Sequence, residues 1–345
     1  MVGFVAVHIG AGCHSKAYEN TYKRLCRRAC EEAMKLICQG ARAIEAVEKA
    51  VQLLERNKHT NAGYGSNLTL NGEVECDASI MDGFSGRLAA VGALKKIRHP
   101  ISVAKALVDS QEKFLSLNRT QPIILVGEGA RSWAIENGIA EVDPETLISA
   151  RSRISWEKWK KELELTKTLD IDSVSDTVGV IALDKDGILA AGSSSGGIAM
   201  KYPGRLGLAA IPLAGTWVQM NENGTGVAVV CSGSGEQIIA TGLAKKCCER
   251  ILMGEDLLKS VDNCIKKDFL SSQTIRGHTP FAGLVVVKVE SLQNTYTIDF
   301  LFAHCTPSMG VGYMFSNDTK SKAEISENER SPNSFVYSGN SRSFV

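Results

Sequence analysis

A polar, acidic stretch, Asp170-Ile-Asp-Ser-Val-Ser-Asp176, ends abruptly, and the next residue opens an apolar run, Thr177-Val-Gly-Val-Ile-Ala-Leu183. The Asp184-Lys-Asp-Gly187 turn then leads into Ile188-Leu-Ala-Ala-Gly-Ser-Ser-Ser195-Gly196-Gly197. Two strands joined by a tight turn, placed directly behind an exposed segment, constrain the chain more than any other feature. A threonine at such a strand edge can become a new N-terminus if the chain is cut before it. Its hydroxyl is then a nucleophile and its own α-amine a base. Threonine also opens strands simply because it is β-branched, so the remainder of the sequence has to decide between the two.

The run at 3–8 reads as a short buried strand leading into His8-Ile-Gly-Ala-Gly12. Helices are expected near 17–38 and 41–56, from Leu25, Ala29, Ala33 and Ile37 in the first and Ile44, Val47, Ala50, Val51 and Leu54 in the second. Gly40 between them suits a helix stop. Strand-like segments follow at 73–82, 87–96 and 122–126, with helices at 101–112 and 129–137. The segment 150–176 is expected to be exposed and cleavable, a short charged amphipathic helix carrying Trp156 and Trp159 and then a loop. Beyond Thr177 the pattern gives two strands, a glycine-rich connection and a strand at 226–231. A long helical stretch at 235–270 and strands at 282–289, 296–304 and 311–315 complete it. Residues 316–345 are polar and read as a tail. Strand blocks flanked by helix pairs predict one layered α+β domain over 1–345.

The net charge of +1 provides no field for nucleic acid or for a membrane surface, and no apolar segment has the length of a membrane span. The first residues lack a basic region and their apolar run breaks at His8, which argues for a strand rather than a signal peptide. Most of the 10 cysteines occupy apolar helix or strand positions without a Cys-x-x-Cys pair. They read as small buried hydrophobes of a reducing compartment. The expected location is therefore intracellular, not secreted.

Four glycine-bearing turns lie at strand ends: His8-Ile-Gly10-Ala-Gly12, Asn61-Ala-Gly63-Tyr-Gly65-Ser66, Ser195-Gly196-Gly197 and Ser232-Gly233-Ser234-Gly235-Glu236. Glycine lets backbone N–H groups approach a ligand closely, and a hydroxyl beside such a group can make an oxyanion hole. No phosphate-loop motif is present. The 6 histidines are scattered without metal-ligand spacing.

Taken in order, these turns resemble a known family. The carrying motifs are His-x-Gly-Ala-Gly, Thr60-Asn-Ala-Gly-x-Gly-Ser-Asn67, Gly72-Glu-Val-Glu-Cys-Asp-Ala-Ser-Ile-Met-Asp-Gly83, Asp176-Thr-Val-Gly179, Ser195-Gly-Gly197 and Pro203-Gly-Arg-Leu-Gly207. The chain resembles the plant-type asparaginase group of N-terminal nucleophile hydrolases, and most its protease branch, the threonine aspartases. The resemblance implies a four-layer αββα sandwich made as a precursor and cut between Asp176 and Thr177. An α subunit (1–176) and a β subunit (177–345) would stay together, and such heterodimers would pair. It implies Thr177 as nucleophile, Ser195 as its supporting hydroxyl, and Ser232 with the Gly233 N–H as the oxyanion pair. Gly10, Asn61, Tyr22 and Gly235 would line the substrate site, and Arg205 would grip a substrate carboxylate. No cofactor is expected to be required, although the family often holds a structural alkali ion on backbone carbonyls before the Asn-Ala-Gly motif.

One position separates the branches. The asparaginases carry an aspartate after Gly-Arg-Val-Gly to hold the substrate's α-ammonium, and Leu208 stands there in this chain. An apolar side chain cannot pair an ammonium. The sequence therefore predicts a threonine endopeptidase that cuts proteins after aspartate, and the resemblance to the threonine aspartases implies transcription regulators as substrates and the nucleus as well as the cytoplasm as location. The alternatives are an asparaginase or isoaspartyl peptidase acting on small substrates, or an unprocessed relative acting only by binding. The loop ahead of Thr177 lacks a long basic stretch, which leaves a nuclear import signal in doubt.

Overall fold

The structure, a computed structural model, describes residues 2–165, 177–254, 256–293, 295–329 and 334–344. Of the segment expected at 150–176 to be exposed and cleavable, residues 166–176, Asp176 included, lie outside the described residues. Strand β1 (Phe4–Gly12) is buried along its length. It leads into α1 (Glu19–Cys38) and α2 (Ala43–Glu55), whose buried faces carry the helically spaced residues read from the sequence. Gly40, at a φ of 92°, ends α1, and the Glu45 carboxylate accepts from Arg42 N to close the first turn of α2.

Next come β2 (Cys76–Asp82), β3 (Leu88–Leu94), α3 (Pro100–Ser110), β4 (Ile124–Val126), α4 (Gly127–Glu136) and α5 (Ala150–Leu165). The hairpin of β5 (Val178–Leu183) and β6 (Leu189–Ser195) is followed by β7 (Thr216–Met220) and β8 (Gly226–Gly233). Helices α6 (Gly235–Thr241), α7 (Leu243–Leu252) and α8 (Leu257–Asn263) precede a π-helical turn at Cys264–Leu270. Strands β9 (Ala282–Leu292), β10 (Thr295–His304), β11 (Ser308–Phe315), β12 (Lys322–Glu327) and β13 (Val336–Phe344) close the chain.

Among the described residues two sheets form, one of 8 strands in the order β12-β11-β1-β5-β6-β2-β3-β4 and one of 5 in the order β13-β10-β9-β8-β7. They face each other through an apolar layer that includes Phe4, Ile181, Leu183, Ala228, Val230, Val285 and Phe300. Helices α1, α2 and α3 cover the outer face of the larger sheet, and α6 to α8 cover the smaller. Central strands thus have both faces covered, so all 6 residues of β5 are buried and its sequence reads as unbroken apolar. This is the expected αββα sandwich.

The structure departs from the sequence reading in two places. The helical stretch at 235–270 is divided, because Gly242 takes a φ of 61° between α6 and α7 and Gly254 one of 89° after α7. The segment 150–165 is α5, the charged and largely exposed helix that the sequence predicts. Its Trp156 Nε1 donates to Thr69 O at 2.9 Å and the ring lies against Gly72.

The expected polar tail at 316–345 is also corrected. Strand β12 pairs with β11, and β13 pairs with β10 from Tyr296↔Phe344 to His304↔Val336. Composition records side chains, whereas an edge strand is recruited by its backbone N–H and C=O groups. A few apolar residues, Phe335 and Phe344 among them, then reach the core. Phe344 stacks on Phe315 with ring centroids 6.1 Å apart. Phe344→Ala is accordingly expected to lower stability by about 3 kcal/mol in urea unfolding. A solvated tail would show no loss.

Candidate active site

The β5–β6 register pairs Val178 with Ser194 and Gly179 with Ser193, so its continuation sets Thr177 opposite Ser195. Thr177 is buried and its Oγ1 donates to Ser195 Oγ at 3.2 Å. Successive strand residues point to opposite faces, which explains the neighbouring serines. Ser193 accepts from Thr216 Oγ1 of β7 at 2.8 Å, on the side of the second sheet. Ser194 points the other way and donates to Glu55 at the end of α2, also at 2.8 Å. Glu55 is fully buried, and it also accepts from Ile101 N and meets His99 Nδ1. Burial raises its pKa, with these partners opposing the shift.

Glycines bring two loops into contact at the end of β6. The Gly196 N–H donates to Asn61 O at 2.8 Å, and a Cβ on Gly196 would lie 2.5 Å from Ser66 Cβ. The Gly197 N–H donates to Ser195 Oγ at 3.0 Å. Its carbonyl accepts from the side chains of Asn61 and Asn67 at 2.8 and 2.9 Å, and Asn61 Oδ1 accepts from Asn67 N. Asn61 thus joins the nucleophile loop through a hydrogen-bonded clasp.

Arg205 lies on the far side of that loop. Its Nη1 sits 3.2 Å from where a Cβ on Gly197 would be, and its Nη2 sits 2.8 Å from the same point on Gly235. Gly235 lies beside Arg205, and any side chain there would displace the guanidinium. Asp77 is buried below and accepts from Ala93 N at 2.9 Å and Gly207 N at 2.7 Å. Burial pushes its pKa up, and Lys201 is the largest influence opposing that shift. Lys201 is itself buried and donates from Nζ to Glu75 O at 2.8 Å.

Gly10, at a φ of 117°, lies where the β1–β11 register shifts between His8 and Ala11. The Ala11 N–H that follows donates to Ser232 Oγ at 2.9 Å, tying the end of β8 to this bulge. Gly233 has a φ of 136°, and a Cβ there would lie 2.3 Å from Phe281 O. Tyr22 stands in an aromatic group instead, edge-on to His14 at 5.1 Å and to His59 at 6.2 Å. These rings define its position, on the wall formed by α1.

Sequence reasoning missed several contributors. His8 was read only as part of a glycine motif, yet its Nε2 lies 2.2 Å from where a Cβ on Gly179 would be. Only glycine fits above that ring. The imidazole lies beside the Thr177 backbone, and burial lowers its pKa to about 3, which keeps it neutral. Lys201, Asp77 and Glu55 were missed because a buried charge has no periodic signature. The signal for Asp77 and Glu75 was their place in Gly72–Gly83, between positions otherwise apolar.

Comparison with known proteins follows the same lines. The family profile described as asparaginase (Asparaginase_2) matches residues 1–290. The chain is 35% identical over 287 residues to the isoaspartyl peptidase/L-asparaginase of Mus musculus, covering 82% of this chain and 81% of that protein. It is 34% identical to the plant-type L-asparaginase of Pyrobaculum calidifontis, covering 76% and 84% respectively. The isoaspartyl peptidase of Salmonella typhimurium is also 34% identical, over 69% of this chain and 75% of its own length.

These relatives overturn the expectation of a threonine endopeptidase cutting after aspartate. The structure explains why Leu208 misled. Its side chain is buried in the apolar cluster of the smaller sheet, with Ala214, Val227 and Ile238. Its apolarity is accounted for by packing. The chain belongs to the asparaginase family, within the N-terminal nucleophile hydrolases.

Proposed function

We propose that the protein hydrolyses the β-amide of asparagine-type substrates and isoaspartyl peptides, after self-cleavage between Asp176 and Thr177. The observation that carries this reading is the Thr177–Ser195 hydroxyl pair, which the short loop Ser195–Gly197 sets against the Arg205 guanidinium. A nucleophile and a carboxylate receptor so placed suit a small acidic substrate. The names of the relatives agree with it.

In maturation, Thr177 Oγ attacks the carbonyl carbon of Asp176. The C–N bond breaks as the C–O bond forms, which frees the α-amine, and water then hydrolyses the ester to release the Asp176 carboxylate and restore the Thr177 hydroxyl. That amine has a pKa of roughly 7.7–8.0, so near neutrality it can take the hydroxyl proton of Thr177. The β-methyl of threonine restricts χ1 and holds Oγ in place. In turnover the same Oγ attacks the substrate's side-chain amide carbonyl, the amine leaves with the proton, and water releases the aspartyl product. Ser232 and the Gly233 N–H are assigned to the developing oxyanion, and Arg205 to the α-carboxylate.

The segment before Asn61 turns the carbonyls of Glu55, Asn57 and Thr60 toward Gly63 and Gly65. Neutral oxygens of this kind fit a structural alkali ion better than a transition metal. Such an ion would stiffen the loop that carries Asn61.

Intact mass of the purified protein should show two fragments, with Thr177 as the new N-terminus, and Thr177→Ala should remain full length. A stable wild-type single chain overturns the maturation. The matured enzyme should release aspartate from L-asparagine and from isoaspartyl dipeptides far faster than it cuts an α-linked Asp-Gly peptide, and the reverse order would refute the substrate assignment. Ser232→Ala, assayed on its matured fraction, should reduce kcat by about 10²–10³ with little change in KM. Near wild-type kcat would remove Ser232 from the oxyanion site.

A further inference from the structure

Arg205 does not act as an isolated cation. Its Nε and Nη2 donate to Glu236 Oε1 at 3.0 and 2.7 Å, while its Nη1 faces the nucleophile loop at Gly197. The Arg205 side chain is 15% exposed and that of Glu236 66%, so the acid lies on the solvent side of the base. Both hydrogen bonds fall on one carboxylate oxygen, Oε1. The nearby acids are committed elsewhere. Asp77 is held by the Ala93 and Gly207 N–H groups, and Glu75 by the Gly204 N–H and Lys95. Leu208 is turned into the core.

An amino-acid head group carries an ammonium and a carboxylate about 2.5 Å apart, the span of the N–Cα and Cα–C bonds at the backbone angle. Arg205 and Glu236 present the opposite charges side by side, joined by a hydrogen bond of 2.7 Å. We propose that Glu236 is a specificity-determining residue of this site, receiving the substrate's α-ammonium while Arg205 receives its α-carboxylate. The inference rests on the hydrolase reading above and adds to it the residue that selects substrates with a free α-amine. Its place in the first turn of α6, beside Gly235, holds the acid against the guanidinium.

The test compares L-asparagine with succinamate, which keeps the carboxylate and the amide but lacks the ammonium. Wild-type enzyme should prefer L-asparagine. Glu236→Gln keeps the shape and one acceptor for Arg205 but removes the charge. It should raise KM for L-asparagine by about tenfold or more, the value of a hydrogen bond to a charged group, while succinamate stays close to wild type. Glu236→Asp should restore part of the preference. Equal losses on both substrates would mean that Glu236 only steadies Arg205. No loss on either, or no recovery in Glu236→Asp, would place the ammonium elsewhere. Each of these results overturns the inference alone, whereas a matured wild-type enzyme that hydrolyses neither L-asparagine nor isoaspartyl dipeptides overturns the hydrolase reading with it.

Discussion

Across β5 and β6, Val178 faces Ser194 and Gly179 faces Ser193, and every feature of the candidate site depends on that register. A slip of one residue would exchange the two faces of each strand. Ser195 would then point toward α2, and Ser194 would leave Glu55 for the space beside Thr177. The register is defended from both sides. Glu55 holds Ser194 from the helical layer, and Thr216 holds Ser193 from the second sheet. The His8 ring beneath Gly179 adds a steric lock, because a slipped strand would place a side chain where only hydrogen fits. Chemistry at Thr177 is thus set by contacts that involve neither substrate nor nucleophile.

Glycine performs different tasks within the same few ångströms. Gly179 admits a ring, Gly196 admits Ser66 and Asn61, and Gly235 admits a guanidinium. Gly233, by contrast, takes a φ of 136° that other residues rarely adopt. Replacing a close-approach glycine moves a neighbour, whereas replacing Gly233 strains the backbone itself.

The layers were legible because helical spacing in 19–55 and unbroken apolar strands leave few alternatives for burial. Glycine-bearing turns located the site, since a strand end with two glycines needs a reason. Other features were invisible for physical reasons. Strand β13 contributes its backbone, which composition does not record, and β7 is short and follows an irregular connection. Leu208 was over-read. Its identity was taken as evidence about a ligand, when the side chain packs behind the site with Val227 and Ile238. Glu236 went unweighed because an exposed glutamate on a helix is ordinary until its partner is known to be Arg205.

The order of strands in the larger sheet also bears on what a severed chain could do. Strand β1, from the part before Thr177, lies between β11 and β5 from the part after it, and β2 lies against β6. The two stretches of polypeptide interleave like the teeth of two combs. A break after residue 176 would cut none of these ladders, and parting the pieces would require unzipping all three at once. Mechanical integrity in this molecule therefore resides in the weave of its strands, and the peptide bond at that junction is dispensable to it.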